Sequence, residues 1–189
     1  LDLTEIEKRI LIDPWIKKVK LEKVFPNSVR ISTQFRKPIA LLQGEKANIS
    51  YLDEEGIIFG RLNLTLKEDL PIISGVPLKV TYLVQKTLNL LQLWETSGQK
   101  KLPPISNVLY EEDKGYRVII SYPLIKNQKQ SLLKNRVIVE LGHQINEETR
   151  TSLEQLDKVV KYLQTKNIVA RQIWANTGKK VIVKITSGP

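Results

Sequence analysis

The first forty residues alternate between apolar and polar positions in a way that predicts one helix and two strands. Apolar side chains at helical spacing predict a helix over residues 4–12, with Thr4 and Glu7 spaced as a capping box. Pro14 ends this helix because the residue before a proline avoids the helical region of backbone space. A period of two residues follows, and it predicts two strands, over residues 16–23 and 28–36.

Pro38 begins a second and longer part of the chain, in which short strands are mixed with two helices. One helix is predicted over residues 78–95 and another over residues 146–166, where Asn146 is placed to cap the first turn. Residues 123–130 are predicted as a loop. Turn residues bound the remaining apolar runs, which are predicted as strands over residues 39–42, 49–52, 57–62, 105–110, 116–121, 137–141, 168–174 and 180–185, with an extended segment over residues 70–75.

The last two predicted strands carry the sharpest binding hypothesis. Asn176 and Gly178 tolerate the positive φ of a tight turn, so the two strands are expected to form a hairpin. A terminal strand often lies at the edge of a sheet, where its unpaired N–H and C=O groups can pair with a strand of another protein. The residues predicted to bind such a partner are Trp174, Ala175, Lys180, Val181, Ile182, Val183 and Lys184.

Two features of this hairpin have a second interpretation. Trp174 closes the penultimate strand beside the turn, where it could pack in the core or lie on the partner surface. Lys179, Lys180 and Lys184 could protect an exposed edge against aggregation, or they could steer an acidic peptide towards it. The sequence leaves both pairs of alternatives open.

Composition excludes several kinds of site. The chain of 189 residues contains no cysteine, which excludes disulfides, thiolate metal sites and a cysteine nucleophile. His143 is the only histidine, the glycines occur singly, and the paired carboxylates lie in predicted turns or at a helix start. We therefore predict no catalytic residue, no cofactor, no metal and no small-molecule substrate, and we expect that the protein is not an enzyme.

The net charge of +10 points to acidic partners such as nucleic acid or an anionic membrane surface. The basic residues are spread along the chain, and few aromatic residues stand among them, so the sequence has neither a basic block nor a stacking platform. Solubility and the protection of strand edges explain the charge better, and no nucleic-acid partner is expected. A nucleic-acid-binding protein remains an alternative, which predicts binding that falls steeply with salt.

Several segments, taken in order, resemble the FtsQ/DivIB family of cell-division proteins. The family carries a Pro-Trp-Val segment, a Pro-x-x-Leu-x-Ile strand and an exit proline in its POTRA domain, then an aspartate-glycine turn, a Leu-Pro-x-x-x-Gly element and a strand ending in Leu-Gly. The matching segments are Asp13–Ile16, Phe25–Ile31, Arg36–Ala40, Tyr51–Phe59, Leu70–Gly75 and Val137–Gly142. Their common order is more specific than any single segment.

The resemblance implies an α+β fold. A partial POTRA unit of one helix and two strands would occupy residues 1–37, and a larger β domain with a mixed or antiparallel curved sheet and two helices would occupy residues 38–189. It also implies a non-enzymatic divisome scaffold, anchored by one membrane helix upstream of Leu1, on the periplasmic side of the cytoplasmic membrane at the septum. The implied partners are bitopic division proteins such as FtsB and FtsL, held by strand addition at the last strand.

Two departures from the family pattern affect single contacts. Members often read Asp-Leu-Arg where this chain has Gln172-Ile173-Trp174, and a glutamate is usual where this chain has Phe35. A POTRA-type module of an outer-membrane assembly or secretion system is the second interpretation of the same segments. An outer-membrane barrel further along the full-length protein would favour that alternative.

Overall fold

A computed structural model describes residues 2–44, 48–62, 69–77, 80–97, 102–126, 131–176, 178 and 180–186. The chain divides into two compact units, Leu1–Leu70 and Pro71–Pro189. The first unit contains α1 (Leu3–Ile10), β1 (Ile16–Val24), β2 (Ser28–Phe35), β3 (Pro38–Gln43), β4 (Ile49–Asp53) and β5 (Ile58–Phe59). The second contains β6 (Ile72–Ser74), α2 (Thr81–Thr96), β7 (Ile105–Glu111), β8 (Gly115–Lys126), β9 (Ser131–Gly142), α3 (Glu147–Thr165), β10 (Ala170–Trp174) and β11 (Ile182–Ile185).

These elements confirm the predicted α+β fold class. Among the residues that the structure describes, a helix and two strands come first, and a larger set of strands follows with two further helices. The predicted bounds of most elements lie close to the observed ones. β5 is shorter than predicted, because it ends at Phe59 and the predicted strand extended to residue 62. Gly60 follows β5 with a φ of 53°.

The helix α1 begins earlier than the sequence pattern predicts. Asp2 is its N-cap, and the Oδ1 atom of Asp2 accepts hydrogen bonds from the backbone N–H groups of Thr4 (2.9 Å) and Glu5 (3.4 Å). The predicted capping box of Thr4 and Glu7 is therefore wrong, because a stronger capping residue stands two positions before Thr4. Asp13 shapes the turn into β1, since its Oδ1 atom accepts a hydrogen bond from Trp15 N at 2.9 Å.

The strands β1 and β2 form an antiparallel hairpin whose two faces differ. Leu21 lies opposite Ile31, and both belong to the face that carries the apolar residues. Lys20 lies opposite Ser32 on the other face, which is polar. α1 contacts β1. Because side chains alternate along a strand, the hairpin separates an apolar face from a polar one.

Three aromatic side chains pack together in the first unit. Trp15 precedes β1, and its ring centroid lies 4.9 Å from that of Tyr51 in β4 and 5.1 Å from that of Phe59 in β5. Tyr51 and Phe59 are 1% and 5% exposed, so both belong to the core. Aromatic pairs at these distances stabilise a fold beyond their buried area.

Asp53 ends β4 and connects two parts of the first unit. Its Oδ2 atom accepts a hydrogen bond from Arg36 Nη1 at 2.8 Å, and its Oδ1 atom accepts from the backbone N–H groups of Glu55 (3.0 Å) and Ile57 (2.8 Å). Asp53 is 1% exposed. A buried carboxylate needs such partners, because an unpaired charge away from water is costly.

The second unit is built on a mixed sheet with the strand order β6-β7-β8-β9-β10-β11. β7, β8 and β9 pair antiparallel in sequence. β6 pairs with β7, and β10 with β9, in parallel. The parallel pair of β9 and β10 requires a crossover, and α3 provides it.

The helices α2 and α3 supply much of the core of the second unit. Apolar residues of both helices are buried, and the hydroxyl of Tyr116 in β8 donates a hydrogen bond to the carbonyl oxygen of Leu83 in α2 at 3.0 Å. Burial raises the pKa of Tyr116. Trp94 is 4% exposed, and its Nε1 atom donates to Pro103 O at 2.9 Å, so this side chain belongs to the core. Within the described ranges, no helix is long and apolar enough to cross a bilayer.

The strands β8 and β9 are longer than the sequence pattern predicts. The predicted loop over residues 123–130 is wrong for residues 123–126, where β8 continues and pairs with β9, while residues 127–130 lie outside the described residues. β7 pairs with β8 no further than Ile120, so Pro123 stands where one side of β8 has no partner strand among the described residues. A proline is tolerated at such an unpaired side.

We expect Asp53→Ala to lower the free energy of unfolding by about 3 kcal/mol, because Arg36 would keep a charge without its buried partner. Urea unfolding followed by tryptophan fluorescence measures the change. Glu54→Ala is the matched control, since the Glu54 side chain is 66% exposed and its ion pair with Lys17 is screened by water, so its loss should change stability little. Equal losses for the two variants would contradict the role given to Asp53.

We expect Gly115→Ala to destabilise the protein by more than about 3 kcal/mol. Gly115 has a φ of 75°, and an added Cβ atom would lie 2.3 Å from the carbonyl carbon of Gly142. Gly178→Ala is the control, because Gly178 has a similar φ of 73° with nothing within 4 Å of an added Cβ atom. It should lose only about 1–2 kcal/mol from backbone strain, and thermal unfolding of the two variants separates these effects.

Candidate partner-binding edge

The strand β11 ends the strand order of the second unit. β10 pairs with it antiparallel, with Ile173 opposite Val183 and Trp174 opposite Ile182. On the other side of β11, no strand of the described residues is its neighbour. The hairpin and its position at an edge agree with the expectation from the sequence.

One backbone hydrogen bond shows how β10 is oriented between its neighbours. Ala175 N donates to Glu140 O of β9 at 2.9 Å. Because successive N–H groups along a strand point to opposite sides, the N–H of Trp174 points to β11. Trp174 and its opposite residue, Ile182, therefore form a hydrogen-bonded pair of the antiparallel ladder.

A second hydrogen bond gives the same result at the other end of β11. Thr186 N donates to Val169 O at 3.0 Å, on the β10 side of the strand. The N–H of Lys184 then points to β10 as well, by the same alternation. The N–H and C=O groups of Val183 and Ile185 point away from the sheet, so these two residues present the outward hydrogen-bonding groups of the edge.

Side chains of the edge lie on both faces of the sheet. Val183 is half-buried opposite Ile173, which is fully buried. Ile182 is 54% exposed and Lys184 is exposed, and both lie on the opposite face from Val183. Trp174 is half-buried and lies opposite Ile182 on that face.

The remaining predicted site residues stand outside β10 and β11. Ala175 is 2% exposed, so its side chain is not at the surface. Lys180 is exposed and Val181 is half-buried, and both precede β11. Lys179 lies outside the described residues.

A polar groove lies beside the edge, on the face that carries Trp174. Glu140 is at its centre: its Oε1 atom accepts a hydrogen bond from Gln172 Nε2 at 2.8 Å, and its Oε2 atom lies 4.0 Å from Arg117 Nε. Arg117 also contacts the carboxylate of Glu111. The side chains of Arg117 and Glu140 are only 15% and 12% exposed. The groove thus holds one guanidinium between two carboxylates, and Trp174 contributes to its lining.

Sequence reasoning missed this groove and one residue of the edge. Arg117, Glu140 and Gln172 come from three different strands, and only the pairing of β8, β9 and β10 brings them together. Ile185 is 55% exposed and carries outward backbone groups, although it was not among the predicted residues. Period-2 alternation along 182–185 could have identified it.

The described residues contain no group of three or more histidine, cysteine or acidic side chains that could hold a metal ion. His143 is exposed, and its Nε2 atom lies 2.9 Å from the carbonyl oxygen of Glu112. A bond to a backbone carbonyl gives this side chain a structural role in the loop after β9.

Comparison with known proteins connects this fold to cell division. The family model of the FtsQ-type POTRA domain matches residues 1–34. The chain is 26% identical over 196 residues to the cell division protein FtsQ of Syntrophotalea carbinolica, a match that covers 100% of this chain and 64% of that protein. It is 26% identical over 192 residues to the FtsQ of Geotalea daltonii, with 97% of this chain and 64% of that protein covered. A third FtsQ, from Geobacter sp. strain M21, is 26% identical over 126 residues, which cover 61% of this chain and 44% of that protein.

The chain therefore spans less than two thirds of the length of the relatives that it matches. The similarity nevertheless runs through the first unit and the second in the two longer matches, and it agrees with the segments that resemble this family in the sequence. The POTRA match, these relatives and the α+β fold together show that the chain is similar to the FtsQ cell-division proteins.

Proposed function

We propose that this chain is the extracytoplasmic part of a non-enzymatic cell-division scaffold, which binds a bitopic division partner of the FtsB or FtsL kind at β11. The observation that carries the proposal is the outward backbone of Val183 and Ile185 on a strand with one neighbour among the described residues. A partner segment in extended conformation would extend the sheet by one strand. The three relatives named FtsQ support the cellular process.

Backbone pairing alone would hold such a partner weakly. Val183 and Ile185 each offer one N–H and one C=O group, and hydrogen bonds of this kind contribute only about 0.5–1.5 kcal/mol each. Association entropy offsets most of that gain. Side chains must therefore supply the rest, and the exposed Ile182 beside Trp174 offers apolar surface for a partner residue on the groove face.

The polar groove would add selectivity to the edge. Arg117 and Glu140 are largely buried and bonded to neighbours, so they present fixed charges to a side chain of the partner strand. A partner side chain that took water away from these charges without compensating for it would bind poorly, because desolvating charged groups is costly. We infer that the groove rejects wrong sequences, while the backbone of β11 accepts any extended one.

The domain organisation and the location of the protein belong to the same proposal. Residues 1–37 would be the end of a POTRA domain and residues 38–189 the β domain, supported by the POTRA match over residues 1–34. A single membrane helix upstream of Leu1 would anchor the protein in the cytoplasmic membrane, with this chain on the periplasmic side at the septum. Trp174, Ala175, Lys180, Val181, Ile182, Val183 and Lys184 remain the proposed contact residues.

We expect Val183→Pro to weaken binding of an FtsB-like soluble segment by about tenfold or more, because the proline ring removes an outward N–H and crowds the incoming strand. The fold should persist, since the N–H of Val183 does not bond to β10. Isothermal titration calorimetry gives the affinity, and circular dichroism checks the fold.

Val183→Thr is the matched control, because it keeps the N–H and the branched side chain, and its affinity should stay near that of the wild type. Lys184→Pro tests the direction of the N–H groups. The N–H of Lys184 points to β10, so a proline at this position should lower the stability of the fold. A folded Val183→Pro variant with unchanged affinity would contradict strand addition at β11.

We expect Lys184→Gln to lower the association rate of an acidic partner segment about two- to threefold at low salt, because Lys184 is an exposed cation on the edge. The difference should vanish at high salt, where surface charges are screened. Lys158→Gln, an exposed position on α3, is the control. Surface plasmon resonance separates the rates, and a salt-independent effect would contradict steering by Lys184.

A further inference from the structure

The turn between β1 and β2 exposes apolar surface in the first unit. Phe25 is 94% exposed and Val24 is 37% exposed. Single exposed apolar side chains are normal on protein surfaces. The significance of Phe25 therefore depends on what surrounds it.

Basic side chains surround this turn and acidic ones are nearly absent. Glu22 is the only carboxylate in the sequence between Asp13 and Glu45. Four cations of the two strands are exposed: Lys18, Lys20, Lys23 and Arg30. Four positive charges against one negative charge leave this hairpin strongly basic.

The cations flank the turn from both faces of the hairpin. Lys20 and Arg30 lie on the polar face, because Lys20 is opposite Ser32, Glu22 is opposite Arg30, and alternate residues share a face. Lys23 is opposite Val29, on the apolar face. Each strand therefore brings at least one positive charge close to the exposed turn.

Glu22 does not neutralise this group of cations. Its Oε1 atom lies 2.5 Å from Lys20 Nζ, and its Oε2 atom lies 3.9 Å from Arg30 Nη1. The hydrogen bond to Glu22 raises the pKa of Lys20, and its ammonium group is positively charged. One carboxylate held between two cations leaves the surrounding potential positive.

We propose that the hairpin tip, residues Val24 to Asn27, docks on an anionic lipid surface. Phe25 and Val24 enter the interface between head groups and acyl chains, where their side chains leave water. At this shallow depth the backbone of the turn can still form hydrogen bonds with head groups and water. Lys20, Lys23 and Arg30 contact lipid phosphates, whose charge they complement. The contact is separate from strand addition at β11, and neither depends on the other.

The proposed contact is weak and reversible. One aromatic side chain buries little apolar area, and a single shallow anchor gives only marginal membrane affinity. Such a contact mainly orients a protein that is held at the membrane by other means, and it recruits free protein from solution only at high lipid concentration. It should also weaken with salt, because the cations are exposed and screened.

The absence of cysteine permits a site-specific test on the whole 189-residue chain. Phe25→Cys, labelled with an environment-sensitive fluorophore, is mixed with vesicles of phosphatidylcholine and phosphatidylglycerol. We expect a blue shift that is lost with phosphatidylcholine vesicles and reduced at high salt. Phe35→Cys with the same label is the control, since Phe35 is 59% exposed in the same hairpin but lies at the opposite end of β2.

A second measurement needs no label and compares the wild-type protein, which keeps Phe25, with unlabelled variants. Co-sedimentation with the same anionic vesicles should fall about fivefold for Phe25→Ser, as expected when an aromatic anchor is lost, and it should hardly change for Phe35→Ser. Lys20→Gln combined with Lys23→Gln should reduce binding similarly. Equal shifts at positions 25 and 35, or vesicle binding that ignores Phe25→Ser, would overturn insertion of the tip. No shift at position 25 would also overturn it, and it would favour a protein as the partner of this surface.

Discussion

The unpaired side of β11 is the constraint on which the proposed function of this protein depends. Backbone N–H and C=O groups need hydrogen-bond partners, and strands inside a sheet find them on both sides. β11 has a strand on one side among the described residues, so Val183 and Ile185 must turn to water or to another chain. The order of the strands, more than the identity of any side chain, decides which segment of the protein carries this surface.

The parallel pairing of β9 and β10 gives the edge its side chains. It requires the α3 crossover, and it brings Gln172 of β10 against Glu140 of β9. The antiparallel pairing of β8 and β9 brings Arg117 to the other side of Glu140. One face of the sheet is thus occupied by the core, while the other keeps a polar groove next to the edge. The unpaired backbone of β11 and the charged groove lie side by side because the sheet is mixed.

The elements that could be predicted from the sequence are those in which apolar residues recur at a clear helical or strand spacing. The helices and the final hairpin follow from spacing, and Asn146 caps α3 as expected, with its side chain accepting from Glu148 N and Thr149 N. The polar groove could not be predicted, because Arg117, Glu140 and Gln172 belong to separate strands. The length of β8 was missed because Pro123 suggested a loop, although an unpaired strand side tolerates it. A single sequence does not show which distant segments of the chain contact each other.

The crossover has a consequence for how the protein matures. β11 pairs with β10, and β10 reaches its place only after α3 has returned the chain beside β9. During synthesis, every strand that β11 relies on emerges before it. A chain interrupted before residue 182 would lack β11 and offer β10 as its last strand, with the backbone groups of Gln172 and Trp174 facing outward in place of those of Val183 and Ile185. The proposed partner-binding surface is therefore complete only after the chain has been synthesised past this point and the sheet beneath it has assembled.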